Sequence, residues 1–193
     1  QSFDYILTNP PFNSSDWCEN GTAYWNVHWQ YGCPPRKNAN FAWLQHIIRH
    51  LSSDGCAVTL LPNGTLTTQN YAERKIRKQI LLDGWIEAII ALPAGLFYGT
   101  KIPCCAWIIR KARARNTVLF VDARQLDLLG QGDGKKISDL LCQYRNGKRL
   151  EITEWYAVAS IAEIAQKHYV LSPNLYTLPK ELSLPSLEQI SED

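Results

Sequence analysis

Asn9-Pro10-Pro11-Phe12 is the string in this 193-residue sequence whose parts add up to a reaction. It combines a carboxamide, a backbone carbonyl held between two prolines, and an aromatic face. Those parts suit a planar ring that bears an exocyclic amine. Asn9 Oδ1 and the Pro10 carbonyl would each accept one amine hydrogen, drawing the nitrogen toward tetrahedral geometry and freeing its lone pair, while Phe12 stacks on the ring. No ionisable base is needed. Asn and Pro also end strands routinely, so the same four residues taken alone describe a turn.

The elements around this string are legible from pattern. Residues 3–8 form a short apolar run stopped by the prolines, which reads as a buried strand with the string at its carboxyl end, where open α/β sheets place ligands. Residues 13–38 lack periodicity and hold Trp17, Tyr24, Trp25, Trp29 and Tyr31, a long loop whose aromatics either close over a base or pack on their own domain. From Asn40 the spacing of Leu44, Ile47, Ile48 and Leu51 predicts a helix, with Asn38 or Asn40 as cap and Gly55 beyond its end. A strand over 56–61 follows. Asn70 and Glu73 resemble a capping box that opens a helix over 71–82, and further strands are expected over 86–92, 104–110 and 118–121. The alternation predicts a parallel α/β sheet with right-handed crossovers and antiparallel strands at its end. After residue 134 the chain should be mainly helical, with Pro173, Pro179 and Pro185 marking an extended arm. The expected division is 1–125 and 126–193.

Composition narrows the class. Hydrophobic residues at 46% and charged residues at 20% describe an ordinary globular chain, and no apolar run approaches the roughly 20 residues that cross a bilayer. With no secretory signal visible, a cytoplasmic address and no membrane partner are expected. The six cysteines are scattered and form no C-x-x-C pair, so they read as reduced, buried thiols with no metal site. His46 and His50 lack an acidic neighbour and read as solvent-facing. Residues 1–150 carry 18 Lys and Arg against 11 Asp and Glu, whereas 151–193 carry 2 against 7, so a basic body precedes an acidic tail. A basic body is compatible with a polyanionic partner. Methionine is absent, position 1 included, and a strand starts almost at once, so a longer natural chain is expected upstream.

The strand with its Asn-Pro-Pro-Phe turn resembles motif IV of the amino-group methyltransferases that use S-adenosylmethionine. The stretches Ala39–Gln45, Leu60–Gly64, Glu73–Arg77, Ile90–Pro93 and Leu96–Pro103 resemble, in order, the modification (M) subunit of Type I restriction-modification systems. These are N6-adenine DNA methyltransferases. The resemblance covers residues 3–123 well, with a weaker echo over 169–176. It implies the second half of a Rossmann-like methyltransferase sheet, parallel strands plus an antiparallel edge, with a helical C-terminal extension. It also implies S-adenosylmethionine as cofactor of the complete enzyme, double-stranded DNA as substrate, and specificity (S) and restriction (R) subunits as partners. The family's Gly-rich cofactor loop has no counterpart here, so no residue of this chain is assigned to cofactor binding and the chain alone is expected to be inactive. Asn9, Pro10, Pro11 and Phe12 take the catalytic positions, and Phe97 and Tyr98 flank the base pocket or simply pack. Arg74, Lys75, Arg77 and Lys78, and Arg110, Lys111, Arg113 and Arg115, are either phosphate contacts or solvated faces. Strand 3–8 at an open sheet edge would favour self-association of the chain. Two other readings stand beside this one: an RNA or protein-glutamine amine methyltransferase, and a non-catalytic remnant that only binds subunits or DNA.

Overall fold

The computed structural model describes residues 2–18, 29–96, 102–111, 116–126, 128 and 132–179. Strands β1 (Phe3–Thr8), β2 (Leu51–Pro62), β3 (Ile86–Ala91), β4 (Cys104–Ile109), β5 (Thr117–Asp122) and β6 (Tyr156–Ser160) form one mixed sheet in the order β1-β2-β4-β3-β5-β6. The helices are α1 (Asn40–His50), α2 (Gly64–Thr67), α3 (Tyr71–Leu82), α4 (Asp133–Arg145) and α5 (Ile161–Gln166). No helix among the described residues is long and apolar enough to cross a membrane.

Every residue of β3 and β4 is buried, as expected of apolar runs covered on both faces, and Glu87 of β3 is the one charged residue among them. On one face α1, α3 and residues 161–176 close over Phe41, Leu44, Ile80, Trp107 and Phe120, with Phe41 meeting Trp107 edge to face at 6.4 Å. On the other, α4 lays Ile137, Leu140 and Tyr144 over Ala88, Ile90, Leu119 and Val121. Beneath α4, Arg145 forks onto Glu87 of β3 (Nε–Oε1 3.0 Å, Nη2–Oε2 2.6 Å), matching the one acidic side chain that faces this apolar layer from β3. Asn70 caps α3 through bonds from the Ala72 and Glu73 N–H groups, but the Glu73 carboxylate takes the Thr68 hydroxyl instead of closing the box.

β1, β2 and β3 share one direction and β4 opposes them, as expected; the departures are the strand order and β5, which is parallel to β3 rather than antiparallel. β1 and β2 are parallel neighbours, yet β4 enters between β2 and β3 and runs antiparallel to both, while β3 pairs in parallel with β5. Apart from Glu87, both β3 and β4 are apolar, so neither run specifies which lies beside β2. The long connection after β3 lets the chain reverse and fill the slot. β6, inside the segment expected to be mainly helical, adds an antiparallel strand to β5. Its five residues are too few to show a period against a helical background. The expected arm packs inward instead: Leu171 is buried and Tyr176 stacks on Phe120 at 4.0 Å. Pro185 lies outside the described residues.

β2 begins directly after α1 rather than at residue 56. Its pairing with β1 slips between Phe3↔Leu51 and Tyr5↔Cys56, so Ser52–Gly55 bulge out. Gly55 is required there, since a Cβ would sit 2.9 Å from both the Leu51 side chain and Ser52 Oγ. β1 is the edge strand, with Tyr5 and Leu7 each 86% exposed.

A polar latch ties the loop before α1 to α3. The Gln45 amide accepts the Tyr31 N–H at 3.1 Å and donates to the Gly32 carbonyl at 2.9 Å. Tyr31 Oη and Trp85 Nε1 both donate to Asp83 Oδ2, and Lys111 stands 3.6 Å from the same carboxylate. Burial alone would raise the Asp83 pKa, but the two hydrogen bonds and the Lys111 charge outweigh it and hold the carboxyl below its ordinary value. A depressed folded-state pKa gives stability that is present above the unfolded value and lost as pH falls through the folded one. Asp83→Asn is therefore expected to lower the melting temperature at neutral pH. Thermal melts down to about pH 3 should show the gap to wild type closing as the carboxylate protonates; a gap that does not narrow removes Asp83 from the latch.

Candidate active site at the carboxyl edge of the sheet

β1 and β2 run parallel with Thr8 opposite Thr59, so the turn after β1 and the end of β2 emerge side by side. Asn9 and Pro11 are exposed, Pro10 is buried and Phe12 is half-buried. Next to them Pro62-Asn63-Gly64 leads into α2, and the Asn63 N–H donates to the Pro103 carbonyl at 2.9 Å, which brings the end of the 93–103 loop to the same edge. Phe97 and Tyr98 lie outside the described residues, as do Tyr24, Trp25, Arg113 and Arg115.

The turn is fastened from behind. Asn13, directly after Phe12, has φ +52°, in the left-handed region that Asn tolerates better than most residues. Asn40 Oδ1 accepts its N–H at 3.1 Å, and Asn40 Nδ2 donates to Asn13 Oδ1 at 2.9 Å. Asn38 Oδ1 accepts the Asn40 N–H at 3.0 Å. The two ends of the long loop are then clipped together: Ala39 N–H to the Ser14 carbonyl, Asp16 N–H to the Arg36 carbonyl, Trp17 Nε1 to the Pro35 carbonyl. Trp17 and Trp29 meet edge to face at 5.7 Å.

The cations expected to grip phosphate do not act as one group. Arg74, Lys75 and Lys78 are exposed on α3 and line, with Tyr71, His168 and Tyr169, a groove of about 580 Å³. Lys78 Nζ sits 4.6 Å over the Tyr169 ring. Arg77, expected among them, instead faces the core: it is 1% exposed, and its guanidinium donates to the carbonyls of Tyr169, Thr65 and Thr68 at 2.9, 3.1 and 3.3 Å. Burial and the charge of Arg74 pull its pKa down to about 10. Arg110 and Lys111 face the acids Glu87 and Asp83. The Asn13–Asn40 pairing behind the turn and the Arg77 tie to Tyr169 are contacts that pattern reading missed. The signal that was there is an Asn on each side of the helix start and another just past the prolines.

The turn that follows β1 is Asn-Pro-Pro-Phe and contains no glycine, so the residues present at this strand do not fit the methionine part of S-adenosylmethionine.

A family model described as N-6 DNA Methylase matches residues 1–183. The chain is 38% identical over 186 residues to the Type I restriction enzyme HindI methylase subunit of Haemophilus influenzae, covering 91% of this chain and 42% of that protein. It superposes with a TM-score of 0.78 and 32% identity on the methyltransferase subunit of a type I restriction-modification system from Streptococcus thermophilus, over 92% of this chain and 38% of that one. A class I S-adenosylmethionine-dependent methyltransferase fold from Listeria monocytogenes matches with a TM-score of 0.51 at 22% identity, over 75% of this chain and 42% of that one. The chain thus spans less than half the length of these relatives.

Proposed function

The chain belongs to the N-6 DNA methylase family, and on that premise we propose that it forms the target-base half of a site-specific N6-adenine DNA methyltransferase of the Type I restriction-modification kind. The observation that carries this reading is the placement of Asn9-Pro10-Pro11-Phe12 at the carboxyl end of β1, beside the end of β2, on an open edge with Asn9 exposed. An adenine swung out of the duplex presents there an amine with two hydrogens. Asn9 Oδ1 and the Pro10 carbonyl accept them, and Phe12 covers one face of the ring. The methylated amine sheds its extra proton to solvent at this open edge, so no side chain needs a shifted pKa for that step.

S-adenosylmethionine supplies the methyl group in this chemistry, and its cradle is assigned to residues outside this chain. Arg74, Lys75 and Lys78 contact duplex phosphates, Phe97 and Tyr98 flank the base, a specificity subunit reads the DNA sequence and a restriction subunit cleaves. The apolar outer side of β1 is the surface through which the isolated chain would self-associate.

Transfer of labelled methyl from S-adenosylmethionine to duplex DNA tests the reading, using the polypeptide at the full length of its relatives together with a specificity subunit. N6-methyladenine in the DNA is the expected product. Label on RNA or on a glutamine peptide, or on nothing, overturns it. Phe12→Ala is expected to weaken binding of DNA that carries a mismatched target adenine by about 1–3 kcal/mol, the scale of base–aromatic stacking. 2-Aminopurine at the target position reports it directly; an unchanged flipped-base signal makes Phe12 structural.

A further inference from the structure

We propose that Asn40 is a positioning residue for the Asn-Pro-Pro-Phe turn, acting through Asn13; this rests on the reading of the turn as the target-base site. Asn40 opens α1 and is 2% exposed, yet its carboxamide caps nothing on its own helix. It reaches back 27 residues and grips Asn13 twice, once at the backbone N–H and once at the side-chain oxygen. Asn38 holds the Asn40 backbone and adds a 3.4 Å contact from its Nδ2 to Asn13 Oδ1.

Two bonds to one residue fix its rotation as well as its position. Between Asn13 and the last residue of β1 stand Asn9, Pro10, Pro11 and Phe12, and the φ angles of both prolines are locked by their rings. The other end of the turn is held by the β1–β2 ladder up to Thr8↔Thr59. A short, stiff segment clamped at both ends has little freedom to move Asn9 Oδ1 or the Phe12 ring. With the clamp gone, the left-handed backbone at Asn13 loses the bonds that offset its strain, and the turn relaxes from its far end. Displacements near 1 Å cost turnover steeply in a reaction that depends on alignment.

Two variants in the full-length polypeptide test this. Asn40→Leu keeps the branched side-chain outline and removes both bonds. Asn40→Asp keeps the acceptor for the Asn13 N–H, and a flip of the Asn13 amide then turns its NH2 toward the new carboxylate, restoring the second bond. Asn40→Leu should lower kcat for adenine methylation about 30-fold while KM for duplex stays within about threefold, and should dim the 2-aminopurine signal. Asn40→Asp should recover most of both. An unchanged kcat in Asn40→Leu overturns the proposal, and so do equal losses in the two variants that track equal drops in Tm. Hydrogen exchange at the Asn13 amide is read in the same samples: protection lost in Asn40→Leu is expected, and protection retained overturns the clamp. Should the wild type methylate no adenine, the functional reading fails, and the exchange result still decides the clamp.

Discussion

Alanine at position 9 is expected to lower the turnover number for adenine methylation about 100- to 1,000-fold, the scale seen when one preorganised hydrogen-bonding group is removed from a transition state. Duplex affinity should stay within about threefold, because the interaction strengthens as the amine changes geometry and contributes little to the ground state. The expectation follows from position: Asn9 is exposed at the open carboxyl edge while its neighbour Pro10 is buried. Removing its carboxamide leaves no internal contact to repair, so the fold should be untouched. Asn9→Asp is the control that keeps both acceptor and shape and should retain most of the turnover, since a carboxylate of the same size still accepts the amine hydrogens. Methylation kinetics on a defined duplex make the comparison. A variant that loses binding but keeps its turnover number would sink the assignment.

Arg77→Ala should destabilise the protein by about 3–5 kcal/mol, combining three carbonyls deprived of their donors with the cavity left by a buried side chain. The guanidinium joins α3 to the turn at α2 and to Tyr169, 92 residues away, so its loss unties the helix layer from the C-terminal segment. Tyr169 also has a left-handed backbone, at φ +58°, and would lose the bond at its carbonyl. Arg77→Lys should recover only part of the loss, because a point charge cannot serve three acceptors with a fixed fork. Urea unfolding measures it. Charge removal at exposed Arg74 is the control, expected to move stability by no more than about 0.5 kcal/mol. A loss below about 1 kcal/mol for Arg77→Ala would mean that water replaces the guanidinium at those carbonyls.

These two residues mark where reading by pattern succeeds and where it stops. Asn9 is in a string whose chemistry is local: an amide, two prolines and an aromatic ring are adjacent in the chain, so their joint meaning is visible before any folding. The helices over 40–50 and 71–82, the apolar strands and the Asn70 cap were legible for the same reason, since periodicity and capping act over a few residues. Arg74, Lys75, Arg77 and Lys78 look alike as letters. A helix turns about 100° per residue, so Arg77 shares the inward face with Ile76 and Ile80 while the other three face out.

Strand order lay beyond local pattern. β3 and β4 carry equivalent apolar runs, and only the filling of the slot beside β2 decides that the later strand sits inside the earlier one. β6 became a strand because the free edge of β5 offered it a ladder, not because five residues prefer to be extended. Local pattern is enough for the turn that carries the chemistry, the element types nearest it and the family they resemble, because each rests on groups within a few bonds of one another. Folding settles which strand is central, that Asn40 holds Asn13 and that the Arg77 guanidinium reaches the Tyr169 carbonyl. Those outcomes depend on burial and hydrogen bonds between residues 27 to 92 positions apart, distances over which a linear pattern carries no information.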